Sequence, residues 1–191
     1  MNETIETLRS RTSTPARMLG EPAPGAAELE QVIQAALAAP DHGGLKPWRF
    51  VIIEGQARAR LAELYGRTRI KLNPEASAEE LENERAKPFR SPMIIAVCAV
   101  LDEAVAKVPV VEQIVSAGAA AQNILLALDA LGYGAILLTG GNAYDDDVKA
   151  LLGLAPKDAI VGFIHTGTPT RALPKKRRAK PADHMVRLDP A

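Results

Sequence analysis

Cysteine is nearly absent from this chain. Aromatic side chains are few, the charges sum to zero, and no apolar run continues unbroken for long. The single thiol, Cys98, excludes an internal disulfide, which suits a reducing compartment and gives the expectation of a cytoplasmic protein. With one cysteine and three scattered histidines (His42, His165 and His184), no ligand cluster of zinc type is expected. Lysine plus arginine equals aspartate plus glutamate at 23 each, so charge makes no case for a nucleic-acid partner. The opening MNETIETLRSR holds acids and no apolar core, unlike a signal peptide. The longest apolar runs are interrupted by Gly, Gln or Asp, so no membrane span is expected. No serine stands in a Gly-x-Ser-x-Gly elbow, and Cys98 sits within a strand-like run where a thiol is inert packing. There is no Walker lysine motif. The GYG at 132–134 follows a helical pattern and precedes a strand, the reverse of the context a dinucleotide fingerprint needs.

What is present is enough for one domain, residues 1–191, with a basic tail over 170–191. Residues 3–12 read as a short helix with Ile5 and Leu8 on its buried side. After the turn-rich GEPAPG, a second helix begins near Ala26. Leu29, Val32, Ile33, Ala36 and Leu37 form its apolar stripe and Pro40 stops it. RFVIIEG (49–55) reads as a strand. Residues 56–87 read as two charged helices divided near Asn73-Pro74, with no site signal of their own. SPMIIAVCAV (91–100) has the length and continuity of a central strand covered on both faces. From Val111 to Leu131 the pattern is a helix apolar or small nearly all round, which predicts burial and, in so small a domain, a subunit interface. A strand over 132–141 enters a glycine-rich loop, a short helix follows at 145–154, and a last strand runs over 158–169. This order predicts an α/β or α+β sandwich around one sheet.

Four segments could carry chemistry. RTS (11–13) offers a guanidinium and two hydroxyls, either a phosphate clamp or a solvated helix end. LLTGG (137–141) ends a strand in glycines, either a close approach to a flat ligand or a plain turn. RALPKKRR (171–178) is either a phosphate partner or a solvated tail. PDHGGLKPWRF (40–50) puts His42, two glycines and the only tryptophan into one loop. His42 is a pocket group or a surface side chain, Asp41 a local cap or an orienting partner for His42, and Trp48 core packing.

In their collinear order these segments resemble the FMN-dependent nitroreductase family. The carrying stretches are RTS with Arg17, the run from EPAPG through PDHGGLKPWRFVIIEG, KPFRSPMIIAVCA, the long helix through LLTG, and DAIVGFIHTGTP. The resemblance implies an α+β sandwich, a mixed but mostly antiparallel sheet flanked by helices, and an intertwined homodimer with FMN at the subunit interface. It also implies hydride transfer from NADH or NADPH through the flavin to nitroaromatic, quinone or similar small acceptors. By position, Arg11, Thr12 and Ser13 match the segment that holds the FMN phosphate and ribityl chain. Ala38, Pro40 and His42 match positions near the flavin, His42 as a possible hydrogen-bond or proton donor. Leu137, Leu138, Thr139 and Gly140 match the loop over one side of the isoalloxazine ring. Arg171, Lys175 or Arg177 would complete the phosphate site. The chain departs from the family pattern in two places. Thr12 stands where a second arginine is usual, and Gly44 and Lys46 stand where the wider family has Asn and Gln. Lys46 or backbone groups are therefore expected at the flavin's pyrimidine edge. The other readings are a flavin store or sensor without turnover, a specialised flavin reductase or dehydrogenase, and a scaffold without cofactor.

Overall fold

The computed structural model describes residues 2–174 and 177–188, so Lys175 lies outside the described residues. The helices are α1 (Glu3–Ser10), α2 (Ala26–Leu37), α3 (Ala57–Leu72), α4 (Ala78–Arg85), α5 (Val110–Ala130) and α6 (Asp146–Leu151). The strands are β1 (Leu19–Gly20), β2 (Trp48–Glu54), β3 (Met93–Ala99), β4 (Gly134–Leu138) and β5 (Ala159–Pro169).

The helices start where side chains satisfy free backbone N–H groups. Asn2 caps α1, accepting from Thr4 N (3.0 Å) and Ile5 N (3.3 Å). Ser77 and Glu80 form a reciprocal capping box on α4, Glu80 N to Ser77 Oγ at 3.2 Å and Ser77 N to Glu80 Oε2 at 2.9 Å. Asp145 caps α6 and also receives Lys71 from the end of α3 at 2.7 Å, which fastens the two helices together. At α2, the Glu28 carboxylate accepts from Gly25 N (2.9 Å) and from Tyr133 Oη (2.7 Å), tying the helix to the turn before β4.

All seven residues of β3 are buried. Because successive side chains point to opposite faces, Met93, Ile95 and Val97 pack with Val32, Ala36, Ala120, Ile124 and Leu128, from α2 and α5. Ile94, Ala96 and Cys98 pack with Leu61, Tyr65, Val148 and Phe163, on the side of α3 and α6. The sheet is thus the middle layer of a helix–sheet–helix sandwich. β3 lies between β2 and β5, and β5 also pairs with β4 and β1. Every pairing among the described residues is antiparallel.

The helix and strand spans match the sequence expectations closely, but burial differs on three helices. On α2, Leu37 of the expected apolar stripe is 51% exposed. α1 has no buried residue, and Ile5 and Leu8 are about half exposed within one chain. α5 buries one face, including Ala117, Ala120, Ile124 and Leu128, while Val111 and Val115 stay exposed at 64% and 65%. By length and hydropathy alone α5 could cross a membrane. In the fold its inner face covers the sheet, and its buried Gln113 is satisfied by Asp102 N, Asp102 O and Val108 O.

Candidate functional site

β4 ends at Leu138, and the chain then turns through Thr139, Gly140 and Gly141. Gly140 has φ 132°, a conformation that side chains rarely adopt. A 3-10 turn over Gly141–Ala143 then brings the chain back against α3. Between that loop and the outer half of α3 lies a cavity of about 360 Å³. Leu138, Thr139 and Gly140 form one side, Tyr65, Thr68, Arg69 and Leu72 the other, and Phe163 and His165 of β5 the floor.

The chemistry of this cavity is uneven. Arg69 is paired with Glu80, and Lys87 with Glu84. Arg90 has no carboxylate partner among the described residues, only a 3.5 Å bond to the Asn83 carbonyl. Burial lowers its pKa, and the neighbouring Arg17 lowers it further. Thr68 is buried, and its Oγ1 has no hydrogen-bond partner, a state that costs free energy until something fills it. His165 is buried with Nδ1 2.8 Å from Ser91 Oγ. Burial foremost, with Arg90 second, pulls its pKa down to about 4, so the ring is neutral at pH 7.

A second cavity, about 580 Å³, is lined by Arg9, Thr12, Thr14, Asp129, Arg171 and Arg178, among others. Thr14 N donates to the Ala135 carbonyl at 3.0 Å, which holds the 11–14 segment beside β4. Arg178 donates to the carbonyls of Arg9 and Arg11 and so ties the tail to the end of α1. Arg171 reaches Met18 Sδ at 3.5 Å.

The expected site residues therefore fall into three places. Thr12 and Arg171 share the second cavity, with Arg11 and Ser13 partly buried beside it on the same segment. Leu138, Thr139 and Gly140 line the first cavity, while Leu137 instead packs over Gly162. Ala38, Pro40 and His42 line neither, and all three are exposed. His42 is turned to α5, with Nδ1 2.5 Å from Glu112 Oε2. Asp41 caps the loop locally, accepting from Lys46 N at 2.7 Å, and is not the partner of His42. Lys46, at φ 52°, is exposed and lines neither cavity. Arg177 is exposed.

Of the residues that sequence reading missed, Thr68 and Arg69 come from α3, in the segment that carried no site signal, while Lys87 and Arg90 come from the turn after α4. For His165 a signal existed. Strand alternation puts it on the face of Phe163, and a histidine on a buried strand face needs a polar partner.

A planar heterocycle with polar edges suits the first cavity. It offers a neutral histidine, an unmatched guanidinium and a glycine turn that lets backbone come close. The second cavity, rich in arginine and hydroxyl groups, suits a phosphate.

The family model described as "Nitroreductase family" matches residues 8–168. "Putative NAD(P)H nitroreductase YdjA" of Escherichia coli K12 is 36% identical over 167 residues, covering 87% of this chain and 88% of that protein. Among solved structures, a nitroreductase-like family protein from Bacillus cereus superposes with a TM-score of 0.82 at 22% identity, covering 98% of this chain and 97% of that one. A nitroreductase with bound FMN from Bacteroides fragilis gives 0.73 at 20% identity, covering 99% and 100%.

Proposed function

The chain belongs to the nitroreductase family, and from that membership we propose that it is an FMN-dependent oxidoreductase using NADH or NADPH as electron donor. The observation that carries the reading is the first cavity, whose glycine turn, buried neutral His165 and unmatched Arg90 suit a flat polar-edged ring. Bound FMN would supply the two-electron chemistry, taking a hydride from the nicotinamide and returning the electrons to a nitroaromatic, quinone or similar small acceptor.

The protein's part is to bind and orient. Arg11, Thr12 and Ser13, with Arg171 and the docked Arg178, hold the phosphate end. Thr14's bond to Ala135 fixes that segment against β4. Leu138, Thr139 and Gly140 lie along one side of the ring. The cytoplasm, with its reducing poise and supply of nicotinamides, is the fitting compartment.

Ala38, Pro40 and His42 reach no cavity of their own chain, so in this reading they serve the site of a second copy. The exposed apolar residues Leu37, Val111 and Val115 lie on the helices that flank that loop, and their burial would drive the association. His42 then faces the partner's flavin with its ring oriented by Glu112.

The test is to reconstitute purified protein with FMN, desalt it, and record the flavin spectrum. NADH or NADPH is next added without oxygen, followed by a nitroaromatic or quinone. The reading expects retained FMN, bleaching by the nicotinamide and recovery with the acceptor. Retention without bleaching would leave a flavin store, and no retention would end the assignment.

A further inference from the structure

The first cavity holds a histidine whose protonation pattern the geometry fixes. Ser91 Oγ lies 3.0 Å from the Met93 carbonyl oxygen and 2.8 Å from His165 Nδ1. A carbonyl only accepts, so the single hydroxyl proton of Ser91 goes to Met93. The same oxygen must then accept from the imidazole, which puts the ring proton on Nδ1. A neutral imidazole has one N–H and one acceptor nitrogen, so Nε2 is left as an acceptor. No described residue hydrogen-bonds it. Burial holds the ring neutral, as its pKa near 4 reflects.

One other group on the same walls lacks a partner of its own kind, since Arg90 has no carboxylate among the described residues. Together the walls offer a guanidinium donor and a nitrogen that can only accept. The complementary ligand edge sets a carbonyl beside an N–H, as one half of an imide does. The pyrimidine end of an isoalloxazine is such an edge. A protonated histidine, or one carrying its proton on Nε2, would meet the imide N–H donor with another donor.

We propose that His165 is a positioning residue for the flavin, its Nε2 accepting from the imide N–H, while Arg90 donates to a flanking carbonyl. The proposal rests on the FMN reading above. It replaces the expected Lys46, which lines neither cavity, with a residue held by Ser91 from behind.

Two experiments on the full chain test it. Two-bond proton–nitrogen NMR of the histidines in flavin-free protein should show His165 with its proton on Nδ1, and a proton on Nε2 would overturn the proposal. FMN and 3-methyl-FMN, whose imide N–H is replaced by N–CH₃, are then titrated by flavin fluorescence. His165→Leu should raise the FMN Kd by about tenfold, the scale of a buried donor left unpaired. His165→Gln, whose amide oxygen can accept, should recover part of the loss. Wild type should prefer FMN to 3-methyl-FMN, and His165→Leu should lose most of that preference. Wild type that binds FMN while His165→Leu keeps its affinity within twofold and the same preference overturns this proposal alone. Wild type that binds no FMN overturns both this proposal and the function it rests on. If the leucine variant does not fold, the NMR result and the wild-type preference for FMN still decide.

Discussion

Gly167 passes the Gly20 carbonyl so closely that a Cβ on Gly167 would stand 2.6 Å from that oxygen and 2.7 Å from Pro92 Cγ. β1 pairs with β5 at this point, Leu19 opposite Pro169 and Gly20 opposite Thr168, and Leu19 is buried. The strand therefore has little room to retreat. Gly167→Ala is expected to lower stability by about 1–3 kcal/mol, the range for overpacking, as read by urea unfolding. FMN affinity should fall with it, because β1 anchors the segment that carries Arg11–Arg17. An unchanged unfolding midpoint would show that β1 shifts freely.

His165 should make stability depend on acid. Burial foremost, with Arg90 second, lowers its pKa from 6.5 to about 4 in the folded protein. Between those values the unfolded chain binds more protons than the folded one, so falling pH favours unfolding. The contribution is complete above about pH 6.5 and is lost progressively as pH falls to about 4, amounting to at most about 3 kcal/mol. Urea midpoints at several pH values should show a steeper acid loss for wild type than for His165→Leu. Parallel curves would remove His165 from the account.

How far such features are legible in the sequence depends on whether they are local. Pro40 and the uninterrupted run of β3 are local signals, and each element they mark is where the pattern puts it. The strand expected from residue 132 starts instead at Gly134, because Gly132, at φ 85°, still turns the chain. The phosphate-side segment was visible as a motif, RTS. The side of the first cavity opposite LLTGG was not, because Thr68, the Arg90–Ser91 turn and His165 sit on three separate segments and gain meaning only when α3 packs on the sheet. Exposure misled in the other direction. Ile5, Leu8, Leu37 and Val115 have the pattern of buried residues yet lie on the surface of one chain, and a periodicity cannot say whether its apolar face meets the chain's own core or a second copy.

Cys98 gives a simple check on the sheet. It is fully buried on β3, and burial pushes its thiol pKa up to about 12. The thiolate is the reactive form, so the folded protein should leave a disulfide reagent unconsumed at pH 8. One thiol per chain should react on addition of denaturant. Prompt reaction of the folded protein would mean that β3 opens or that the helices over it are loosely held.

Arg11 tests the phosphate end of the site. Its carbonyl receives Arg178, and its side chain lies near enough to Asp129 to act on that carboxyl, so a bound phosphate would compete with Asp129 for the guanidinium. Arg11→Ala is expected to weaken FMN by about 1.5–3 kcal/mol, the range for a charge-assisted hydrogen bond. Riboflavin, which lacks the phosphate, should bind both proteins alike. An equal loss for riboflavin would mean that Arg11 supports the fold instead of the phosphate.

The last prediction concerns the face formed by α5 and its neighbours. Val111 and Val115 lie one helical turn apart and are both exposed, with Leu37 exposed on the adjoining α2. Burying a valine contributes about 1.5–3 kcal/mol, whereas burying an unpaired carboxylate is strongly unfavourable. Val115→Glu should therefore leave the single chain folded, since this position faces away from its own core, yet separate a dimer into monomers by light scattering. If Ala38, Pro40 and His42 complete the site of the second copy, the same substitution must also release FMN, although Val115 lines neither cavity. Monomers that keep FMN at wild-type affinity would show each chain holding its flavin alone, with the α2–β2 loop serving some other end. A persistent dimer would move the interface off this face altogether.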